Sequence, residues 1–184
     1  MIVHAMQLIA DHGLAVFSLR GLAESLGVAP NAVYNHIQNR EDLLDAITER
    51  FVASIRLPAG EQPWPEWVRS CAVRLRSQLL RQPGLTELML ARAGATAAGP
   101  RLLARFLARL ESAGVDRAVA HVAWHSLLTV VVGSVSQARG RDPSSRATFE
   151  AVLDIAISGL QAAAAAPPSA QALALLDAHG LTQP

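Results

Sequence analysis

The chain has 184 residues, enough for one domain with a sizeable core or for two small ones. Its residues are 51% hydrophobic but only 4% aromatic, with a mean hydropathy of +0.27, so alanine and leucine fill the interior and helices are favoured over strands. Sixteen basic residues, all arginine, stand against fifteen acids, and the single cysteine, Cys71, excludes an intramolecular disulfide framework and suits a reducing cytoplasm.

The N-terminus has no basic stretch ahead of an apolar run, so no secretory signal is read there. A first helix is predicted from the spacing of Ile2, Ala5, Leu8 and Ile9, ending at Gly13. Ser18 can cap a second, whose apolar stripe is Leu19, Leu22, Ala23 and Leu26. Gly27 permits the left-handed backbone of a tight turn, and Pro30 suits the first position of a third helix, where its missing amide hydrogen costs nothing. Ala32, Val33 and Ile37 are expected to anchor that helix inward, leaving Asn31, Tyr34, Asn35 and His36 to point out. This is a helix-turn-helix with a polar, uncharged second helix, the kind that enters the DNA major groove.

A fourth helix is predicted from Arg40 to Arg56, with Asn39 as its cap and Glu41 and Asp42 at the positive end of its dipole. Pro58, Gly60, Pro63 and Pro65 break it, and a hinge is placed over residues 57–65. Helices are then expected over 66–82, 85–93, 101–112, 116–139, 147–166 and 169–179, separated by proline and glycine breakers. No alternating strand pattern and no internal repeat are visible, so the fold class is all-α. The apolar segment 118–135 carries His121 and His125 and reads as a poor membrane span. The tail after Pro167 is expected to be partly disordered.

Residues 2–47 resemble the N-terminal domain of the tetracycline-repressor (TetR) family of bacterial transcription regulators. The resemblance rests on the first-helix spacing, the Leu-Arg-Gly-Leu-Ala block at 19–23, Gly27-Val28, Tyr34-Asn35-His36 and the run from Asn39 to Leu44. It implies a helix-turn-helix DNA-binding domain over 1–47 and a helical effector-binding and dimerisation domain over 48–184. It also implies a homodimer on a palindromic double-stranded operator, released by a small, mainly apolar molecule. In chemistry, Tyr34 and His36 can donate to phosphates, while Asn31 and Asn35 carry the paired donor and acceptor that recognise adenine. Arg20 and Arg40 can clamp backbone phosphates, Arg40 standing where the family usually has lysine. Pro30 and Ala32, at the start of the same helix, are also counted with the DNA-binding residues. The competing reading is a solvated polar face with Tyr34 as packing.

Three departures from the family pattern bear on this. Ala29 and Ala32 replace hydroxyl residues that cap or touch phosphate, and Ile37 stands where an aromatic is commoner. Residues 1–50 hold three arginines and six acids, a net of 3 − 6 = −3, whereas a DNA-binding domain should be basic. Either the acids lie away from the DNA face, or a basic arm precedes the first helix; the expectation adopted is that the native start lies upstream.

Within the later helices, Val122, Ser126, Thr129 and Gly133 share one face with small side chains, and Phe149, Val152, Leu153, Ala156 and Leu160 follow at helical spacing. The resemblance implies that these form a four-helix dimer interface; the spacing alone is equally compatible with monomer core. Expected liners of an effector pocket are Trp67, Cys71, Met89, Phe106, His121, Trp124 and His125. His121 and His125, four residues apart, have a chelating spacing, but no third ligand or HExxH glutamate accompanies them, so no metal and no cofactor are assigned. No phosphate loop, GxSxG or zinc-spaced cysteine pair is present. The expected function is that of a cytoplasmic, non-enzymatic, ligand-responsive transcriptional regulator, a repressor by resemblance, with no membrane partner. The alternative is an interaction protein of the same fold that no longer binds DNA.

Overall fold

The computed structural model describes residues 1–35, 37–138 and 143–178. It is all-α, with ten α-helices among the described residues: α1 Ile2–His12, α2 Leu19–Leu26, α3 Pro30–Tyr34, α4 Arg40–Ser54, α5 Trp64–Arg81, α6 Pro83–Arg92, α7 Ala98–Glu111, α8 Arg117–Gln137, α9 Pro143–Ala164 and α10 Ala170–Ala178. A 3₁₀ turn over Ala93–Ala95 follows α6. The chain divides into two compact units, Met1–Arg56 with Gln78–Leu102, and Leu57–Ser77 with the chain from Leu103 onward, the boundaries falling inside α5 and α7.

In the first unit, α1, α2, α3 and α4 close around Ala5, Ile9, Leu22, Ala23, Val33, Leu43, Leu44, Ile47 and Phe51, all buried. Each large apolar side chain there contributes about 1.5–3 kcal/mol by leaving water. Helix α6 packs across α1 and α4. The sequence reads Pro83-Gly84 as the end of one helix, yet these residues form the first turn of α6. Proline fits that turn because it has no amide to satisfy. Gly84 fits because α1 lies against it: a Cβ there would sit 2.3 Å from the carbonyl oxygen of Ile9. Likewise α7 begins at Ala98, three residues before the expected start, because the Glu49 carboxylate accepts the Ala98 amide at 2.7 Å. Such a cap is supplied by α4 and leaves no local trace in the sequence.

In the second unit, α8 is the central helix, packed against α9 and α10. By length and hydropathy (1.6 over its most apolar 18 residues) it matches a membrane-crossing helix. Its Ala118, Val119, Ala120, Ala123, Leu127, Val131 and Val135 are nevertheless buried, as in the core helix of a folded domain. Trp67, Phe106 and Trp124 pack in series, the first pair tilted by 44° and the second edge-on at 62°, with both centroid separations at 5.2 Å. The segment 57–65 is held to this unit at two points. The Trp67 indole donates to the Pro58 carbonyl at 3.0 Å, and Arg109 donates to the Gln62 carbonyl at 2.8 Å.

Candidate nucleic-acid interface

Local chemistry builds the helix-turn-helix. The Ser18 hydroxyl accepts the Gly21 amide at 3.1 Å and starts α2, while Gly27, at φ 68°, ends it in the left-handed region. Ala29 begins α3 without a side-chain cap, as its missing hydroxyl requires, and α3 is only five residues long. Val33 anchors it inward with 2% exposure, and Ala32 is half-buried. Pro30, Asn31, Tyr34 and Asn35 are all exposed on α3 and its C-terminal edge, Tyr34 at 53%. Their polar atoms therefore face solvent, where base edges and phosphates can be met. His36 lies outside the described residues.

The two arginines differ. Arg20 is exposed and pairs with Glu24 at 3.0 Å across one helical turn. A surface pair of this kind contributes only about 0.3–0.5 kcal/mol, so a phosphate can compete for the guanidinium. Arg40 is already engaged: its Nε and Nη2 donate to the carbonyls of Phe17 and Leu14, both at 3.4 Å, and Nη1 lies 3.5 Å from Glu41. It ties the start of α4 to the α1–α2 connection, a positional role that its sequence context did not suggest. Asn39 accepts the Asp42 amide at 2.9 Å and caps α4.

The acidic balance of the first fifty residues has a structural account. Glu41, Asp45 and Glu49 recur every four residues on one face of α4. Arg92 bonds both Glu41 and Asp45, the latter at 2.6 Å, and Arg101 pairs with Glu49 at 2.7 Å. Over the whole first unit the count is seven arginines and seven acids, 7 − 7 = 0. Three of the acids that make the N-terminal segment negative are thus met by Arg92 of α6 and Arg101 of α7, and Arg56 and Arg81 bring the balance of the unit to zero. Arg92 is held above its ordinary pKa by its hydrogen bonds to Asp45 and then Glu41. These pairs were invisible to sequence reasoning; the one legible signal was the four-residue spacing of the acids.

Of the expected pocket liners, Trp67, Cys71, Phe106 and His121 are buried and Trp124 and His125 half-buried in the second unit, whereas Met89 is buried in α6 of the first. The rings of His121 and His125 lie 5.0 Å apart. Among the described residues no third metal-ligating side chain joins them. Burial pushes the Cys71 thiol up to about 12.

The residues expected at a dimer interface divide. Phe149, Leu153 and Leu160 turn into the subunit's own core, with exposures of 5% or less, and Val122 packs toward Ala118, Ala172 and Leu176, against α10. Helical spacing marks an apolar face without saying what it faces. Val152 and Thr129 are exposed, and Ser126, Gly133 and Ala156 half-buried. Ile155, absent from the expected set, is 74% exposed. Between α8 and α9 runs an open cleft of about 430 Å³ whose walls include Thr129, Gly133, Ser134, Phe149 and Val152.

The sequence profile of the bacterial regulatory proteins of the tetR family matches residues 2–47. An HTH-type transcriptional regulator of Saccharopolyspora erythraea is 32% identical over 136 residues, which cover 72% of this chain and 56% of that protein. The chain thus spans little more than half the length of that relative. Among solved structures, ActR of Streptomyces coelicolor in complex with actinorhodin superposes with a TM-score of 0.76 at 24% identity, covering 89% of this chain and 95% of ActR. A variant of TetR from Acinetobacter baumannii AYE in complex with minocycline superposes with a TM-score of 0.74 at 29% identity, covering 87% and 93% of the two chains.

Proposed function

Because this chain belongs to the tetR family of bacterial regulatory proteins, we propose that it is a homodimeric, ligand-responsive transcriptional repressor that reads a palindromic operator through α3. The observation that carries the reading is the exposed set Asn31, Tyr34 and Asn35 on a helix fixed from beneath by Val33 and positioned by the Ser18 and Asn39 caps. Asparagine side chains pair with adenine edges, while Tyr34 and Arg20 reach phosphates. His36 is proposed as a further phosphate donor, and Arg40 holds the connection between α1 and α2. Residues 1–47 are the DNA-reading domain in this proposal and residues 48–184 the effector-binding and dimerisation domain.

The dimer is assigned to the outward faces of α8 and α9, through Thr129, Gly133, Val152, Ala156 and the additional Ile155. Two-fold symmetry places the two copies of α3 in successive major grooves, roughly 34–36 Å apart. A small, mainly apolar effector is assigned to the region of Trp67, Phe106, Trp124 and the two histidines. The minocycline-bound relative supports a small-molecule effector but does not identify it. Such a ligand releases DNA only by preferring a conformer with the wrong separation of recognition helices. About 1–3 kcal/mol of that preference changes operator affinity by roughly 5–150-fold. The chain acts in this reading as a regulator of the cytoplasm and not as an enzyme. The alternative, an interaction protein without DNA binding, draws on the negative charge of residues 1–50, which Arg56, Arg81, Arg92 and Arg101 of the same unit offset. An electrophoretic shift with promoter DNA decides between the two: a retarded band that Tyr34→Ala weakens supports the regulator, and no band at low salt overturns it.

A further inference from the structure

Helix α6 is fixed to the DNA-reading segment at both ends, by two different kinds of contact. At its start, Gly84 brings the backbone against α1, with room for no side chain beside the Ile9 carbonyl. At its end, Arg92 forks between Glu41 in the first turn of α4 and Asp45 one turn later, with its side chain only 24% exposed. One turn further along α4, Glu49 does two things at once. One of its oxygens pairs with Arg101 and the other accepts the Ala98 amide that opens α7, both at 2.7 Å. Forked, charge-assisted bonds of this kind fix orientation as well as distance.

We propose that Arg92 is a positioning residue for operator recognition. Holding Glu41 and Asp45, it locks α4 to α6 within the first unit, so that α3, which precedes α4 in the chain, is held in one position relative to α6. Arg101 and Glu49 extend the same lock into the start of α7. The inference rests on the DNA-binding reading above and concerns which groups set the geometry, since Arg92 itself is committed to carboxylates and not to phosphate. Its consequence is selectivity for half-site spacing. With Arg92 in place the protein is expected to accept one half-site spacing, and without it several.

The test uses the operator selected by this chain from random DNA, resynthesised with one or two base pairs added or removed at its centre, together with a single isolated half-site. The wild-type protein is expected to lose about tenfold or more in affinity for each one-base-pair change, and Arg92→Gln less than about threefold, a difference within the range of ordinary coupling between sites. Affinity of Arg92→Gln for the isolated half-site is expected to stay within about twofold of wild type, because a positioning residue adds no contact to a single half-site. Arg92→Lys, which keeps the charge, should restore part of the spacing penalty. The doubly neutralised Glu41→Gln/Asp45→Asn protein should behave as Arg92→Gln does, and it replaces that variant if Arg92→Gln does not fold. Equal spacing penalties in wild type and variants overturn the inference, as does a uniform loss that includes the half-site, which would make Arg92 a contact residue. Failure of the wild-type chain to select any sequence overturns the DNA-binding reading itself, and the positioning role with it.

Discussion

Gly84 of α6 and Ile9 of α1 approach so closely that a Cβ at residue 84 would lie 2.3 Å from the Ile9 carbonyl oxygen and 2.9 Å from its Cγ2. The first of these neighbours is backbone and cannot swing aside, so any side chain at 84 must push α1 and α6 apart. Gly84→Ala is expected to cost about 1–3 kcal/mol, as overpacking does. In a chain of this size that lowers the melting temperature by roughly 5 °C. Differential scanning calorimetry checks it; an unchanged melting temperature would mean the two helices separate freely.

How much of this was legible beforehand follows from the range of each interaction. Ser18, Gly27 and Asn39 act within four residues of themselves, and each does in the structure what its sequence position announces. The start of α6 was not legible, because Pro83-Gly84 reads as a stop unless α1 is known to lie beside it. The partners of Glu41, Asp45 and Glu49 lie about fifty residues away in sequence, so a count over residues 1–50 sees the acids without the arginines that meet them. In α9, periodicity exposes an apolar face but not its direction. Phe149, Leu153 and Leu160 turned inward, and Ile155 turned out.

Tyr34 is half exposed and is not part of the core. Tyr34→Ala is therefore expected to leave the melting temperature within about 1 °C, as surface substitutions do. Operator affinity should fall about tenfold or more, as removal of a phosphate contact does. Asn35→Ala should instead relax the preference for adenine at one operator position, a discrimination on the order of 1–3 kcal/mol. Fluorescence anisotropy on matched and substituted operators separates the two patterns. Equal binding by all three proteins would remove α3 from the interface.

Val152 and Ile155 are 44% and 74% exposed on α9, large apolar side chains that a lone subunit would leave in water. Charge there should break the proposed dimer, because an unpaired carboxylate at its centre has no solvent and no partner. Ile155→Asp is expected to sediment as a folded monomer at micromolar concentration where the wild type sediments as a dimer. Two identical sedimentation profiles would place the dimer contact elsewhere.

The thiol of Cys71, pushed by burial from 9.0 to about 12, is almost wholly protonated at neutral pH. At pH 8 its thiolate fraction, and with it its alkylation rate, should be about a thousandfold below that of a free cysteine, and unfolding in urea should abolish the difference. The same shift makes stability depend on pH. The folded state keeps its proton after the unfolded chain has lost it, so this contribution is whole below pH 9 and declines as pH rises toward about 12. The melting temperature of Cys71→Ala should fall less steeply through that window than that of wild type. Parallel curves would show that Cys71 is not the group responsible.

Selection of bound sequences from a random duplex pool at moderate salt decides whether this chain reads a DNA sequence. The expected result is enrichment of one inverted repeat whose half-site centres lie about one helical turn apart, roughly 10 base pairs, or a whole multiple of it. Loss of that enrichment in Tyr34→Ala would tie it to α3. A pool that stays random through successive rounds, with the protein folded and dimeric, would contradict the claim that this chain is a sequence-specific regulator.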